Sequence, residues 1–242
     1  MEGSQKQALV TGAGRGLGAG IAKHLASQGF ALWIHYHSSD QGAREVAEEI
    51  QAAGGQAEIV GADLSQESQV LDLIKVIEEG GRGLDVLVNN SGVYHEEAFL
   101  DLSESQWMQE IHSTATAVYF TTRAVLPMLR KSKGKVINLG DGACDRPGAR
   151  EMAPAYHIGK TGVYVLTRSF AVSEAPHGVA VNQVSPGLIE TSVGLASPSA
   201  DGVPAGRYGT YDDLFHAIDL LIQCPTSYLT GSNLIVGGGW NL

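Results

Sequence analysis

A tyrosine and a lysine four residues apart are the pair best suited to chemistry in this 242-residue chain. Tyr156 and Lys160 stand in the string Y-H-I-G-K, and side chains four apart on a helix point the same way. A phenol with a pKa of about 10 exchanges protons poorly at pH 7, but a neighbouring ammonium stabilises the phenolate and lowers that pKa. The pair therefore predicts acid–base catalysis at a carbonyl or imine.

An aspartate precedes this pair, at the end of the string I-N-L-G-D. An ionised Asp141 accepts hydrogen bonds but donates none, and its charge raises the pKa of Tyr156. It suits a substrate with N–H donors, or one that needs a carboxylic acid to supply or orient a proton. The alternative is that Asp141 only caps its own loop.

A glycine-rich turn, T-G-A-G-R-G-L-G, spans residues 11–18. It follows an apolar run and precedes residues with helical spacing, so it joins a strand to a helix. Without side chains, the backbone N–H groups and the helix N-terminus can approach a pyrophosphate. The turn therefore predicts a dinucleotide site, and the alternative is a tight strand–helix connection with no ligand.

Elements of two kinds alternate along the chain and must position these residues. Apolar runs predict strands at residues 7–10, 30–36, 57–61, 84–88, 135–139, 179–184 and 233–236. Helical spacing predicts helices at residues 17–28, 43–53, 70–79, 105–129, 155–174 and 211–222. This alternation predicts an α/β fold, a doubly wound parallel sheet of about seven strands of the Rossmann type.

Length and composition limit the organisation of the chain. With 242 residues, 43% hydrophobic and 17% charged, we expect one catalytic domain over residues 1–242. The segment 185–206 is rich in Gly, Pro, Ser and Ala. A loop of this length in a compact domain is usually functional, so we expect it to be a substrate lid.

The charge and the cysteines exclude several classes of protein. A net charge of −10 argues against binding nucleic acid or an anionic membrane, since 16 Lys and Arg face 26 Asp and Glu. Two cysteines without a Cys/His cluster predict neither a disulfide framework nor a metal site. No apolar leader and no 18-residue apolar run is present, so we expect a cytoplasmic protein.

Several motifs together resemble the short-chain dehydrogenase/reductase family, over essentially the whole chain. They are the T-G-x-x-x-G-x-G turn, N-N-S-G at 89–92, I-N at 137–138, Y-x-x-x-K at 156–160, S-P-G-x-x-x-T at 185–191 and G-G-G-W at 237–240. The resemblance implies an oxidoreductase in which Lys160 holds the nicotinamide ribose and Tyr156 transfers the proton. It also implies a homotetramer built on the helices at 105–129 and 155–174, with Val163, Tyr164, Leu166 and Phe170 as candidate contacts.

The resemblance also implies which residues hold the cofactor. By match, the pyrophosphate and adenine ribose lie against Thr11, Gly12, Arg15, Gly16, Leu17 and Gly18. The adenine lies against Asp63 and Leu64, the second ribose region near Asn90, and the carboxamide near Pro186, Gly187 and Thr191. Each residue also has an ordinary alternative role as a cap or turn residue.

The segment after the second strand indicates which nucleotide is used. An NAD enzyme places an acid there to accept from the ribose 2′-OH, whereas this chain has H-Y-H-S-S and no carboxylate before Asp40. The hydroxyls of Ser38 and Ser39 and the cation of Arg15 suit a 2′-phosphate. We therefore predict NADP(H), and the alternative is that His35 or His37 is a plain strand residue.

Two positions depart from the family pattern. Thr114 stands where an Asn usually bulges the helix and holds a relay water, and Asp141 stands where a Ser usually donates to the substrate oxygen. Pteridine reductases of this family carry an Asp at the second position, and Tyr94 matches the aromatic residue that stacks on their pterin ring.

These departures lead to one main reading and two alternatives. We predict an NADPH-dependent reductase of a small C=O or C=N substrate, with a pterin as the most specific candidate. The alternatives are a 3-oxoacyl or general carbonyl reductase, and a non-catalytic dinucleotide sensor.

Overall fold

Seven parallel strands form one sheet in the computed structural model, which describes residues 5–81, 83–146, 148–191 and 199–240. The strands are β1 (Gln7–Val10), β2 (Ala31–Tyr36), β3 (Gln56–Gly61), β4 (Val86–Asn89), β5 (Lys135–Leu139), β6 (Ala180–Pro186) and β7 (Asn233–Val236). Their spatial order is β3-β2-β1-β4-β5-β6-β7. The predicted doubly wound parallel sheet is confirmed.

Within these described residues, seven α-helices connect the strands. They are α1 (Gly16–Ser27), α2 (Asp40–Ala52), α3 (Glu67–Glu79), α4 (Glu104–Ile111), α5 (Ala117–Ser132), α6 (Pro154–Glu174) and α7 (Tyr211–Gln223). The predicted single helix over 105–129 is wrong in one respect. A π-helical turn at His112–Thr116 divides it into α4 and α5.

The core lies on both faces of the sheet, which is why the strands read as continuous apolar runs. On one face α1 and α7 pack through Ile21, Leu25 and Ile218. On the other face α3 and α5 pack through Ile77 and Leu129. Each of these five side chains is at most 1% exposed.

The strand order changes direction at β1, which pairs with β2 on one side and β4 on the other. In open α/β sheets a crevice forms at such a point, outside the carboxyl ends of the strands. Thr11 follows β1, Asn90 follows β4, and Asp141 stands two residues beyond β5. The fold thus brings the predicted site residues to one edge.

The predicted lid falls only partly within the described residues, because 192–198 lie outside them. On its first side, Ile189 forms a bridge with Gly209. On its second side, a 3-10 turn at Ala200–Gly202 leads to Ala205, whose N–H donates to Gly238. In the described part of the chain, no helix is long and apolar enough to cross a membrane.

Candidate active site

The glycine-rich turn adopts a backbone that requires glycine at two of its positions. Gly12 has φ +62° and Gly16 has φ +57°, both in the left-handed region. A β-carbon at Gly16 would meet no neighbour within 4 Å, whereas one at Gly18 would collide with Gly12 and Asn90. The turn is therefore closely packed beneath and open above, as a cradle for a pyrophosphate requires.

Thr11 and Asn90 hold the ends of β1 and β4 together. The Thr11 hydroxyl accepts from the N–H groups of Asn90 and Ser91, at 2.9 and 3.0 Å. The Asn90 amide donates to the carbonyl oxygens of Thr11 and Gly12, at 2.9 and 3.2 Å. Thr11 is buried, so its place is beneath the turn rather than on the surface of the groove.

His35 braces the same turn from β2. Its Nδ1 accepts from the Gly12 N–H at 3.0 Å, and its Nε2 lies 3.0 Å from the Ala62 carbonyl oxygen. Burial lowers the pKa of His35 to about 4, so the ring is neutral and Nε2 carries the proton. Sequence reasoning left His35 as a strand or cofactor residue, and its bracing role carries no local signal.

A groove of about 840 Å³ runs along this edge of the sheet. It is lined by most of the predicted cofactor residues, namely Gly12, Arg15, Gly16, Leu17, Gly18, Ser38, Ser39, Asp63, Leu64 and Asn90. Pro186 and Gly187 lie at the end of β6 instead, where the Gly187 N–H donates to Val236. Thr191 is an exposed residue at the edge of the described segment.

The end of the groove near α2 is free of carboxylate lining apart from Asp63. Asp40 is held in a bidentate ion pair by Arg44, at 2.8 and 3.1 Å, and accepts a hydrogen bond from the Tyr36 hydroxyl. Arg15 and His37 line the groove beside the two serines. His37 is a candidate cofactor residue that the sequence interpretation did not commit to.

Tyr156 and Lys160 lie together on α6, as their spacing predicts. The Lys160 Nζ lies 5.5 Å from the centre of the Tyr156 ring and donates to the Leu139 carbonyl oxygen at 2.6 Å. Lys160 is only 4% exposed, and burial lowers its pKa to about 8. The ammonium is thus available at neutral pH.

The pKa of Tyr156 is raised, whereas the neighbouring ammonium of Lys160 was expected to lower it. Burial raises it well above its usual range, and the negative charge of Asp141 raises it further, as the sequence analysis inferred for that charge. The phenol is therefore protonated at neutral pH. It is poised to give a proton rather than to take one.

Asp141 caps its loop and also faces a cavity. Its Oδ1 accepts from the Ala143 N–H at 3.0 Å, while its Oδ2 lies 3.8 Å from the Nδ1 of His157. Both side chains line a cavity of about 470 Å³ whose other walls include Phe99, Ala149, Pro154 and Ile158. Asp141 therefore both caps its loop and lines this cavity, and His157 is a further candidate site residue that sequence reasoning missed.

Tyr94 lies at the mouth of the site, where it is 50% exposed. Its ring meets the Tyr156 ring edge to face, with centres 5.2 Å apart and planes at 88°. This geometry places Tyr94 within reach of a ligand beside Tyr156.

The π-helical turn forms although it carries no asparagine. Thr114 is buried, and its hydroxyl donates to the Glu110 carbonyl oxygen at 2.6 Å. Gly159 of α6 packs directly on this hydroxyl, where a side chain would collide. The bulge is therefore retained with a threonine in place of the usual residue.

The family model described as short chain dehydrogenase matches residues 6–200. The chain belongs to the short-chain dehydrogenase family. It is 32% identical to a 3-oxoacyl-[acyl-carrier-protein] reductase of Staphylococcus epidermidis, over 97% of this chain and 98% of that protein. It is 35% identical to a 3-oxoacyl-[acyl-carrier-protein] reductase of Synechocystis sp., over 96% of this chain and 95% of that protein.

Solved structures of the short-chain dehydrogenase family show the same fold. A putative short-chain alcohol dehydrogenase from Sinorhizobium meliloti superposes with a TM-score of 0.88 at 26% identity, over 98% of this chain and 96% of that one. A putative gluconate dehydrogenase from Agrobacterium tumefaciens superposes with a TM-score of 0.88 at 28% identity, over 97% of this chain and 95% of that one.

Family membership shows that the chain is an NAD(P)-dependent oxidoreductase. It disfavours the alternative of a non-catalytic sensor. The reductases cited above are named for 3-oxoacyl substrates rather than for pterins, so they favour the alternative substrate over the main prediction. Within the described ranges, no group of His, Cys, Asp and Glu side chains could hold a metal ion.

Proposed function

We propose that this protein is an NADPH-dependent reductase of a small carbonyl compound of the 3-oxoacyl type. The observation that carries the proposal is that Tyr156 lies close to the nucleotide groove and next to a residue of the cavity of Asp141. A β-carbon on Gly92, in the nucleotide groove, would lie 3.7 Å from the Tyr156 ring and 3.8 Å from Lys160 Nζ. The adjacent His157 lines the cavity of Asp141.

In this proposal NADPH, when bound, supplies the hydride, and the chain supplies the proton. Tyr156 donates from its hydroxyl to the carbonyl oxygen, and its raised pKa keeps that hydroxyl protonated at neutral pH. Lys160 stabilises the phenolate that remains, because its ammonium is fixed by Leu139 beside the ring. Positioned acid catalysis of this kind contributes about 10²–10⁴-fold in rate.

The preference for NADPH rests on the end of the groove near α2. Arg15, Ser38 and Ser39 line it with one cation and two hydroxyl groups, which suit a phosphate. Asp40, the carboxylate that could accept from a ribose 2′-OH, is instead engaged by Arg44. The remaining cofactor contacts, with Pro186, Gly187 and Thr191 at the carboxamide, are proposed from the motif match.

The substrate class is argued from the smaller cavity and from the relatives. Phe99, Pro154 and Ile158 give its wall an apolar character that suits an acyl chain, and its volume of about 470 Å³ fits a small substrate. Two relatives of nearly equal length are named as reductases of 3-oxoacyl groups on the acyl carrier protein.

A pterin is the second candidate, because Asp141 turns a carboxylate to this cavity and Tyr94 offers a half-exposed ring. The carboxylate would accept from ring N–H groups, and the ring would stack on a heterocycle.

The test is NADPH oxidation by the purified protein with a β-keto ester, an acetoacetyl thioester and a dihydropteridine. We expect the two 3-oxoacyl compounds to be reduced with the higher kcat/KM. Tyr156→Phe is the control, and it should lose about 10²–10⁴-fold in kcat while NADPH binding is retained. Faster turnover of the dihydropteridine would replace the main proposal with the second, and wild-type rates in Tyr156→Phe would place the chemistry elsewhere.

We further propose that residues 1–242 act as one catalytic domain and that four copies form a homotetramer. The contacts predicted for that assembly need correction, because Val163 and Phe170 are buried in the core of the subunit itself. The exposed apolar residues of α6 are Ile158, Val165 and Val172. Symmetric assembly through this helix would cover them, and light scattering at micromolar concentration tests the subunit number.

A further inference from the structure

Glu110, the penultimate residue of α4, is a carboxylate with 0% of its surface exposed. Its Oε2 accepts from the backbone N–H of Tyr156 at 2.8 Å, and its Oε1 accepts from the backbone N–H of His95 at 2.7 Å. The His95 ring also lies beside it, with Nδ1 at 3.4 Å from Oε1. A buried charge is costly unless it is hydrogen-bonded, so these two short bonds are what hold the carboxylate inside.

The first of these bonds completes the start of the catalytic helix. α6 begins after Ala153, which gives no side-chain cap, and its first turn contains no acidic residue. The first N–H groups of a helix lack partners within it, and negative charge is favourable at that end. Glu110 supplies both the acceptor and the charge from another helix, and it does so at Tyr156 itself.

The second bond fixes the segment that carries Tyr94. His95 follows Tyr94 directly, and the Tyr94 ring packs edge to face on the Tyr156 ring. One carboxylate therefore holds the backbone of Tyr156 with one oxygen and the backbone beside Tyr94 with the other. The two rings that meet at the mouth of the site share a single anchor.

We propose that Glu110 is a positioning residue, which holds the proton donor Tyr156 and the ring of Tyr94 in the relative position that turnover requires. This inference rests on the proposed function, because it assigns the proton transfer to Tyr156. It goes beyond the motif match, which singles out Thr114 in the π-helical turn after α4 and assigns no role to Glu110. A displacement of about 1 Å in a reacting group can cost roughly 10²-fold in rate, so the loss of one bond would be visible in kcat.

Glu174 offers a matched control on the same helix. It is also 0% exposed and lies at the far end of α6, where it pairs with Arg130 at 2.8 and 2.9 Å. Glu174→Gln removes a buried charge and weakens a tertiary bond without touching the site. It therefore measures what general loosening of α6 does to the enzyme.

The experiment compares Glu110→Gln, Glu110→Asp and Glu174→Gln with the wild type. The glutamine amide accepts one N–H but turns its own N–H₂ toward the other, and the aspartate is too short to span both partners. We expect kcat to fall about 10–100-fold in both Glu110 variants, with KM and the NADPH dissociation constant within about twofold of wild type. Glu174→Gln should lower Tm and leave kcat near the wild-type value.

Hydrogen exchange provides a readout that does not depend on turnover. In the Glu110 variants, exchange should accelerate in segments 93–97 and 154–158 and remain unchanged elsewhere. Wild-type kcat in Glu110→Gln, or an equal loss of kcat in Glu174→Gln, would overturn the proposal. If the wild type reduces no carbonyl compound, the proposed function fails. Hydrogen exchange then tests the shared anchor alone. Faster exchange confined to the two segments supports the anchor, and an equal change across the whole protein refutes it.

Discussion

The Lys160 ammonium donates to the Leu139 carbonyl oxygen at 2.6 Å, which ties the catalytic helix to the last residue of β5. The bond fixes the cation beside the Tyr156 ring and keeps it away from solvent. It also makes the charge of Lys160 sensitive to pH, because the buried ammonium has a pKa of about 8. Below that pH the ammonium is charged, and above it the charge is lost.

Reductase activity should therefore fall as the pH rises through about 8, the pKa of Lys160. The neutral amine no longer stabilises the phenolate that proton transfer leaves on Tyr156. The measurement is the pH profile of kcat/KM, which reports groups of the free enzyme. Lys160→Arg, whose guanidinium stays charged, should keep any remaining activity flat through this range. A wild-type profile that is flat up to pH 9.5 contradicts the assignment.

Asp141 should decide between substrates rather than determine stability. Asp141→Ser retains a side-chain acceptor for the Ala143 N–H but removes the charge that faces His157. A hydroxyl donor suits a carbonyl oxygen, so we expect kcat/KM to rise for a β-keto ester and to fall for a dihydropteridine.

Asp141→Asn serves as the control for this substitution, because its amide oxygen can keep the loop bond to Ala143 while the charge is removed and one oxygen becomes an N–H₂ donor. Parallel changes in both substrates together with Tm would mean that Asp141 acts as a loop cap alone.

His35 should make the stability of the protein depend on pH. Its pKa is lowered from 6.5 to about 4 in the folded state, so the unfolded chain binds the proton more readily. The stability due to the neutral ring is complete above pH 6.5 and is lost as the pH falls toward 4, by about 3 kcal/mol.

Urea unfolding between pH 7 and pH 4 measures this slope for His35. His35→Asn can still accept from Gly12 and should have a shallower slope, whereas His177→Asn, on the surface, should match the wild type. Identical slopes in all three proteins would remove His35 as the cause.

NADPH should bind more tightly than NADH, and Arg15 should account for much of the difference. Arg15 is exposed on the groove beside Ser38 and Ser39, where a 2′-phosphate would meet it. Arg15→Leu should weaken NADPH binding about tenfold, since bonds to charged groups contribute about 1.5–3 kcal/mol, and leave NADH binding nearly unchanged. Nucleotide fluorescence titration gives both constants, and tighter NADH binding in the wild type would reverse the assignment.

The sheet was predictable because inner strands such as β1, β4 and β6 are buried on both faces and therefore read as apolar runs. The tyrosine and lysine were predictable because their partner relationship is local, four residues along one helix. The π-helical turn was not, because His112–Thr116 continue the helical spacing on either side. The outward contacts assigned to Val163 and Phe170 were wrong because apolar spacing alone does not tell a helix face buried in its own subunit from one buried in another.

Other site residues act through long-range contacts that no motif marks. Glu110 meets Tyr156 across 46 residues of chain, and His35 meets Gly12 across 23. His35 ends an apolar run, which marks the position but not the role, and Glu110 follows the polar Gln109 and carries no such mark. Their partners become identifiable only when the packing of α4 on α6, and of β2 beside the glycine turn, is known.

The ion pair between Asp40 and Arg44 bears on how the nucleotide preference of this protein would evolve. Asp40 already stands at the start of α2, close to the place where an acid selects the unphosphorylated cofactor. Its charge is restrained by a surface arginine outside the groove. Loss of that arginine would remove the ion pair that engages Asp40, so a shift in coenzyme preference can begin at a residue outside the groove.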